Sequence, residues 1–210
     1  MTFDTVSPII TGLGLGIALA GAPGPVQAVL LAEAVRGGIG RGLRALTGVH
    51  LTFGLLLVAL ALGFSVASPT GLALRLLKVA GGAVLLWLAI DGVCSTGPSN
   101  RVAYADGRRA LPAAVRGVLA ILLNPGGWLF LGVVASPLLG SAAERGGRPA
   151  ALLAAVALGA GAALGDLALV IVGGIGLSRA GEQVARSVQL VLALILAGLG
   201  LWLLLGGVLG

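Results

Sequence analysis

Two proline-containing breaks interrupt long uncharged apolar stretches of the chain. A Pro-Gly-Pro sequence at residues 23–25 lies in the apolar span 8–32, and an Asn-Pro-Gly sequence at 124–126 lies in the span 117–143. A proline inside a helix removes a backbone donor and clashes with the preceding turn. In hydrocarbon, the freed backbone groups are satisfied only by surrounding protein or by a wet cavity. The pattern therefore predicts two broken membrane helices.

Each break resembles the start of a new half-helix. Gly24 precedes Pro25 and Asn124 precedes Pro125, which is the order of an N-cap followed by proline at the first helical position. Such a start directs backbone N–H groups and the positive dipole end toward an anion, and broken helices mark the substrate sites of many transporters. The predicted substrate-binding residues are Pro23, Gly24, Pro25, Gln27, Asn124, Pro125, Gly126 and Gly127.

The composition is that of a membrane protein. Of 210 residues, 58% are hydrophobic and only 10% are charged, whereas soluble domains carry about 25% charged residues. The net charge of +6 comes from bases between the apolar spans, which favours loop retention in the cytoplasm over nucleic-acid binding. One cysteine, one histidine and seven acids argue against a metal cage. Because no nucleophile–base or phosphate-binding motif is present, we expect neither an enzyme nor a cofactor.

The apolar spans predict six transmembrane helices. About 20 apolar residues cross a bilayer, and five clear spans cover residues 8–32, 45–67, 117–143, 149–178 and 187–210. A weaker sixth span at 72–94 contains two bases near one end. Five helices is the alternative if this span stays at the membrane interface.

The two halves predict an inverted repeat within a single membrane domain. Pro25 and Pro125 lie about half a chain apart, and each half opens with a broken helix followed by two further spans. Residues 1–96 and 117–210 form the two three-helix repeats, with helices 1 and 4 broken, and 97–116 form a cytoplasmic connection. Three spans per half invert the second repeat. The odd-numbered connections hold nine of the thirteen bases, so we expect both termini outside the cytoplasmic membrane.

Asp166 is the one acid deep inside an uncharged apolar span. A carboxylate there costs about 2.5–3.5 kcal/mol on insertion scales, so such residues are usually functional. We interpret Asp166 as a proton-coupling residue or as the partner of an ammonium group. The alternative is a packing acid that hydrogen bonds keep neutral.

Three weaker patterns predict structural roles. The lone His50 near the start of the second span is interpreted as structural rather than as a pH sensor. Glu33 and Arg36, three positions apart, are expected to form a surface ion pair. Glycines at four-residue spacing, which let helices pack closely, are Gly12 with Gly16, Gly38 with Gly42, and Gly161 with Gly165.

Several of these motifs together resemble the LysE/RhtB family of amino-acid exporters. They are Ala-Pro-Gly-Pro at 22–25, the glycine–arginine pattern at 36–42, Lys-Val-Ala-Gly-Gly at 78–82, Asn-Pro at 124–125, and Asp166. The resemblance implies proton-driven export of amino acids or related small zwitterions. The expected partners are such a small-molecule substrate and the lipid bilayer. The sequence leaves the oligomeric state open, with a homodimer as one alternative.

Two alternatives to an amino-acid exporter remain open from the sequence. A structural or assembly membrane protein would keep the glycine-rich packing but would not need matched breaks. A cation or metal exporter on a related scaffold would have loops rich in acids or histidine.

Overall fold

The computed structural model describes residues 3–22, 24–63, 70–94, 111–179 and 182–208, and within those ranges every regular element is helical. The elements are α1 Phe3–Gly21, α2 Pro25–Ala61, α3 Gly71–Cys94, α4 Ala113–Leu122, α5 Pro125–Phe130, a π-helical turn Leu131–Ala135, α6 Ser136–Arg179 and α7 Glu182–Val208. Helical dihedrals continue through both ends of the π-helical turn. Residues 125–145 are therefore one helical segment.

The two predicted breaks separate helices as expected. The first separates α1 from α2, which begins at Pro25 after an extended Gly24. The second separates α4 from α5, which begins at Pro125 after an extended Asn124. Pro23 lies outside the described residues.

Two further breaks, both at Gly-Gly pairs, divide α2 and α6. In α2, Gly37 has φ −142° and ψ 22°, and Gly38 has φ 71° and ψ −175°. In α6, Gly146 has φ −141° and ψ 18°, and Gly147 has φ 68° and ψ −170°. Since essentially only glycine adopts positive φ with ψ near 180°, each pair forms a sharp turn between two helical limbs. The interpretation of Gly38 as a packing glycine was therefore wrong.

The described chain has about four to six apolar helices. Four stretches are long and apolar enough to cross a membrane: Pro25–Ala61, Gly71–Asp91, Pro125–Gly176 and Arg186–Val208. Two shorter apolar helices are Ser7–Gly21 and Ala113–Leu122. The 24 residues of α3 extend about 36 Å at 1.5 Å per residue. The weak sixth span is therefore long enough to cross a bilayer.

Glycine contacts join several pairs of helices. In α1 and α6, a Cβ added to Gly16 would meet the backbone of Leu158, and one added to Gly161 would meet that of Leu13. The predicted close packing of both glycine pairs in these helices is confirmed. Glycines also join the second limb of α2 to α4, through Gly48 and Gly117, and α3 to α7, through Gly82 and Gly200.

The outer surface of the helices is strongly apolar. Leu72 on α3, Val172 on α6 and Leu194 on α7 are each at least 70% exposed. Exposed apolar surface on several helices is uncommon in soluble monomers and is suited to contact with lipid chains. The surface therefore agrees with the composition in indicating a membrane protein.

Candidate functional site

The two proline breaks meet at one partly open cavity of about 280 Å³. Both half-helix starts and the predicted acid contribute to its lining: Gly24, Pro25, Gln27, Asn124, Gly126, Gly127 and Asp166. A second cavity of about 10 Å³ is also bordered by both Pro25 and Asn124, so the breaks lie side by side. Pro125 is buried and is not among the residues that line the larger cavity.

The second break is capped by its own asparagine. Gly126 N donates to Asn124 Oδ1 at 3.0 Å, and Gly127 N donates to the Asn124 carbonyl oxygen at 3.0 Å. The backbone donors at which the sequence pattern placed an anion are therefore already engaged. The Asn124 amide nitrogen has no hydrogen-bond partner in the described part of the chain and remains available as a donor. At the first break, Gly24 has no side chain with which to cap α2.

Asp166 is the centre of a polar group inside the cavity. Its side chain is nearly fully buried, its Oδ2 lies 3.0 Å from His50 Nε2, and its Oδ1 accepts from Gln27 Nε2 at 3.4 Å. This polar group combines residues from three helical limbs: Asp166 from α6, Gln27 from the first limb of α2 and His50 from the second. The sequence did not assign His50 to the site, because the histidine and its acid are 116 positions apart and no local motif connects them.

Apolar side chains form the rest of the cavity wall. Phe53 and Leu56 follow His50 along the second limb of α2, and Phe130 lies at the end of α5. The rings of Phe53 and Phe130 have centroids 6.3 Å apart and are tilted by 44°. The π-helical turn begins directly after Phe130, and turns of this kind are frequent at functional sites.

A family model for the LysE type translocator matches residues 17–207. The chain belongs to the LysE type translocator family. The match includes both breaks, the cavity residues and Asp166, and membership implies membrane transport of small molecules. Searches of curated proteins and of solved structures find no match.

The translocator has a second buried group of charges, which we call the arginine–acid cluster: Glu33, Arg36, Arg41, Asp91 and Arg116. Arg116 Nη1 lies 3.2 Å from Glu33 Oε1 and 2.7 Å from Asp91 Oδ2. Arg36 Nη1 lies 2.9 Å from Asp91 Oδ2, and Arg41 Nε pairs with Glu33 Oε2. The cluster therefore ties both limbs of α2 to α3 and α4.

Burial of the arginine–acid cluster corrects the surface pair expected from the sequence. Glu33 is 1% exposed and Arg116 is 0% exposed. The Arg116 guanidinium lies 5.3 Å from the ring centroid of Trp87, and its Nη2 has no hydrogen-bond partner among the described residues. Arg116 is also part of α4 rather than of a solvated connection. Glu33 and Arg36 are close in sequence, but the partners that bury them are on other helices.

Proposed function

We propose that this translocator exports amino acids or related small zwitterions through the cavity between the two breaks, in exchange for protons. The observation that carries the proposal is a cavity with a buried carboxylate and, in the same wall, a capped half-helix start. A zwitterion has the complementary groups: an ammonium for Asp166 and a carboxylate for the start of the helical segment 125–145. Neither lysine nor arginine is among the described residues of the lining.

The two charged ends of the substrate would be bound in different ways. The ammonium pairs with Asp166, whose burial strengthens the attraction because water does not screen it. The carboxylate accepts from the Asn124 amide nitrogen and gains from the helix dipole, which is worth about 0.3–1 kcal/mol when exposed and up to about 2 kcal/mol when partly buried. A cavity of about 280 Å³ lies just below the ~300–1,000 Å³ range of ligand pockets, which suits a substrate as small as an amino acid.

The contact between His50 and Asp166 supports a mechanism for proton exchange. In the proposed cycle, His50 carries a proton in the empty site and lies against the Asp166 carboxylate, 3.0 Å away. A substrate ammonium that enters the cavity takes the place of the imidazolium, and His50 releases its proton to the side from which the substrate came. When the substrate leaves on the other side, His50 takes up a proton there. Competition for one carboxylate thus makes substrate and proton move in opposite directions.

An inverted repeat with six transmembrane helices would allow the cavity to open alternately to each side. Matching features support this arrangement: a proline break and a Gly-Gly turn with nearly equal dihedrals occur in each half. The helix pairs agree with it as well. In such a repeat, α1 corresponds to α4, the second limb of α2 to the second limb of α6, and α3 to α7. The contact of α1 with α6 then corresponds to the contact of α4 with the second limb of α2, and the contact of α3 with α7 corresponds to itself. We place both termini outside the cytoplasmic membrane.

Counterflow in vesicles tests the proposed function. Purified protein in phospholipid vesicles loaded with unlabelled leucine is expected to take up labelled leucine several-fold above protein-free vesicles. An acid-inside pH gradient should raise the uptake further, because protons leave as leucine enters. If neither leucine nor any other amino acid exchanges above the protein-free level, the proposal is wrong.

A further inference from the structure

We infer that the cavity selects zwitterions with an apolar side chain and rejects those with a charged one. This inference rests on the proposed function and adds the substrate class. It depends on the part of the cavity wall that the charged ends of the substrate do not use.

The cavity wall changes from polar to apolar within about one helical turn. His50, Phe53 and Leu56 all line the cavity from the second limb of α2. Along the helix axis, Phe53 lies about 4.5 Å beyond His50, and Leu56 lies about 9 Å beyond it. On the facing segment, Phe130 follows Gly126 by four residues, or about 6 Å. The 6.3 Å separation of the Phe53 and Phe130 rings brings the two apolar walls together. A substrate whose ammonium contacts Asp166 would place its side chain against these rings.

The charges around the cavity exclude a second ionised group on the substrate. Asp166 is the one acid in the described lining, and the proposed binding mode uses it for the α-ammonium. Among the described residues, Glu33 and Asp91 are the other acids in the protein interior, and both are paired with arginines in the arginine–acid cluster. A lysine side chain would therefore bring an unpaired ammonium out of water. A glutamate side chain would bring a carboxylate that finds no cation, because His50, the other titratable residue in the described lining, has released its proton to solution once the substrate ammonium is bound. Both are strongly disfavoured.

The Trp128 side chain adds no polar contact for a substrate. Its indole N–H already donates to the Leu122 carbonyl at 2.8 Å. The Trp128 ring therefore contributes an apolar surface to the cavity. An alkyl or aromatic substrate side chain can pack against this surface, whereas a substrate hydroxyl receives no hydrogen bond from the indole N–H.

A competition panel tests this selectivity. Uptake of labelled leucine would be measured against unlabelled leucine, phenylalanine, alanine, lysine and glutamate in the same vesicles. Since one methylene in an apolar pocket changes specificity by about 10–200-fold, leucine should compete at least about 10-fold better than alanine. Lysine and glutamate should compete more weakly than alanine.

Two variants locate the source of the preference. Phe130→Ala should reduce the preference for leucine over alanine about 10-fold, and elution as a single species with a thermal midpoint near the wild-type value shows that the variant is folded. Leu129→Ala is the matched control, because Leu129 directly precedes Phe130 on α5, is 45% exposed and is not among the described residues that line the cavity. It should leave the preference unchanged. If Phe130→Ala is not recovered in folded form, Phe130→Leu provides the same comparison with phenylalanine and leucine.

The outcomes separate the two proposals. Amino-acid exchange with lysine or glutamate competing as well as leucine, or an unchanged preference in the Phe130 variants, would overturn the inference and leave the proposed function standing. Absence of exchange for every amino acid would overturn both. A preference for leucine and phenylalanine that weakens only in the Phe130 variants supports both.

Discussion

Asp166→Asn is expected to abolish the accumulation of substrate driven by a pH gradient. The amide cannot carry the charge that pairs alternately with His50 and with the substrate ammonium. Loss of one partner of a buried charge pair costs about 2–5 kcal/mol. At 1.4 kcal/mol per decade, the apparent substrate affinity should fall about 30- to 4,000-fold. The measurement is initial uptake of labelled leucine into acid-inside vesicles over a range of concentrations.

Glu144→Gln is the matched control for this experiment. It makes the same chemical change on the same helix, α6, but at an exposed position, so uptake should remain at the wild-type level. Elution as a single species and a thermal midpoint near the wild-type value would show that the Asp166 variant is folded. Wild-type uptake by Asp166→Asn with an unchanged pH dependence would exclude the proposed role of the acid.

Arg116→Met is expected to destabilise the protein strongly. The methionine keeps much of the volume beside Trp87 but removes the guanidinium that pairs with both Glu33 and Asp91. Breaking a buried ion pair by removing one member costs about 3–5 kcal/mol, because the remaining charge is left buried without compensation. Asp91 keeps Arg36, and Glu33 keeps Arg41, so the lower part of this range is expected. The measurement is thermal unfolding in detergent.

Arg44→Met is the matched control for the cluster. Arg44 is exposed, and its Nε donates to the carbonyl of Gly40, one turn earlier. Surface substitutions of this kind usually change stability by no more than about 0.5 kcal/mol. If Arg116→Met unfolded at the same temperature as Arg44→Met and the wild type, the cluster would have no major role in stability.

Features that depend on local sequence could be predicted. The caps at Gly24 and Asn124 follow from a small or polar residue directly before proline, and Asp166 stands out because its neighbours are apolar. The close approach of α1 and α6 follows from glycines on one face of each helix. In each case the signal lies within one or two helical turns.

Features that depend on distant partners could not be predicted. His50 has a polar partner only because α2 and α6 pack together, and Glu33 is buried because Arg116 reaches it across 83 positions of sequence. The Gly-Gly turns were missed for a different reason. Glycine spacing is the same for a helix contact and for a break, and only the positive φ of Gly38 distinguishes them. The sequence pattern predicted that the backbone N–H groups after the second break would face an anion. In the structure, the N–H groups of Gly126 and Gly127 already donate to Asn124, the same residue that marks the helix start.

The central claim is that the cavity binds both charged ends of a zwitterion, and competition by leucine amide tests it most directly. Labelled leucine counterflow would be measured with increasing unlabelled leucine, leucine amide or isoamylamine in wild-type vesicles. We expect leucine to compete best, because the other two keep the ammonium for Asp166 but lack the carboxylate for Asn124 and the helix start. The dipole and hydrogen-bond contribution of about 0.3–2 kcal/mol corresponds to roughly 2- to 30-fold weaker competition by the amide. Equal competition by leucine and its amide would contradict the claim.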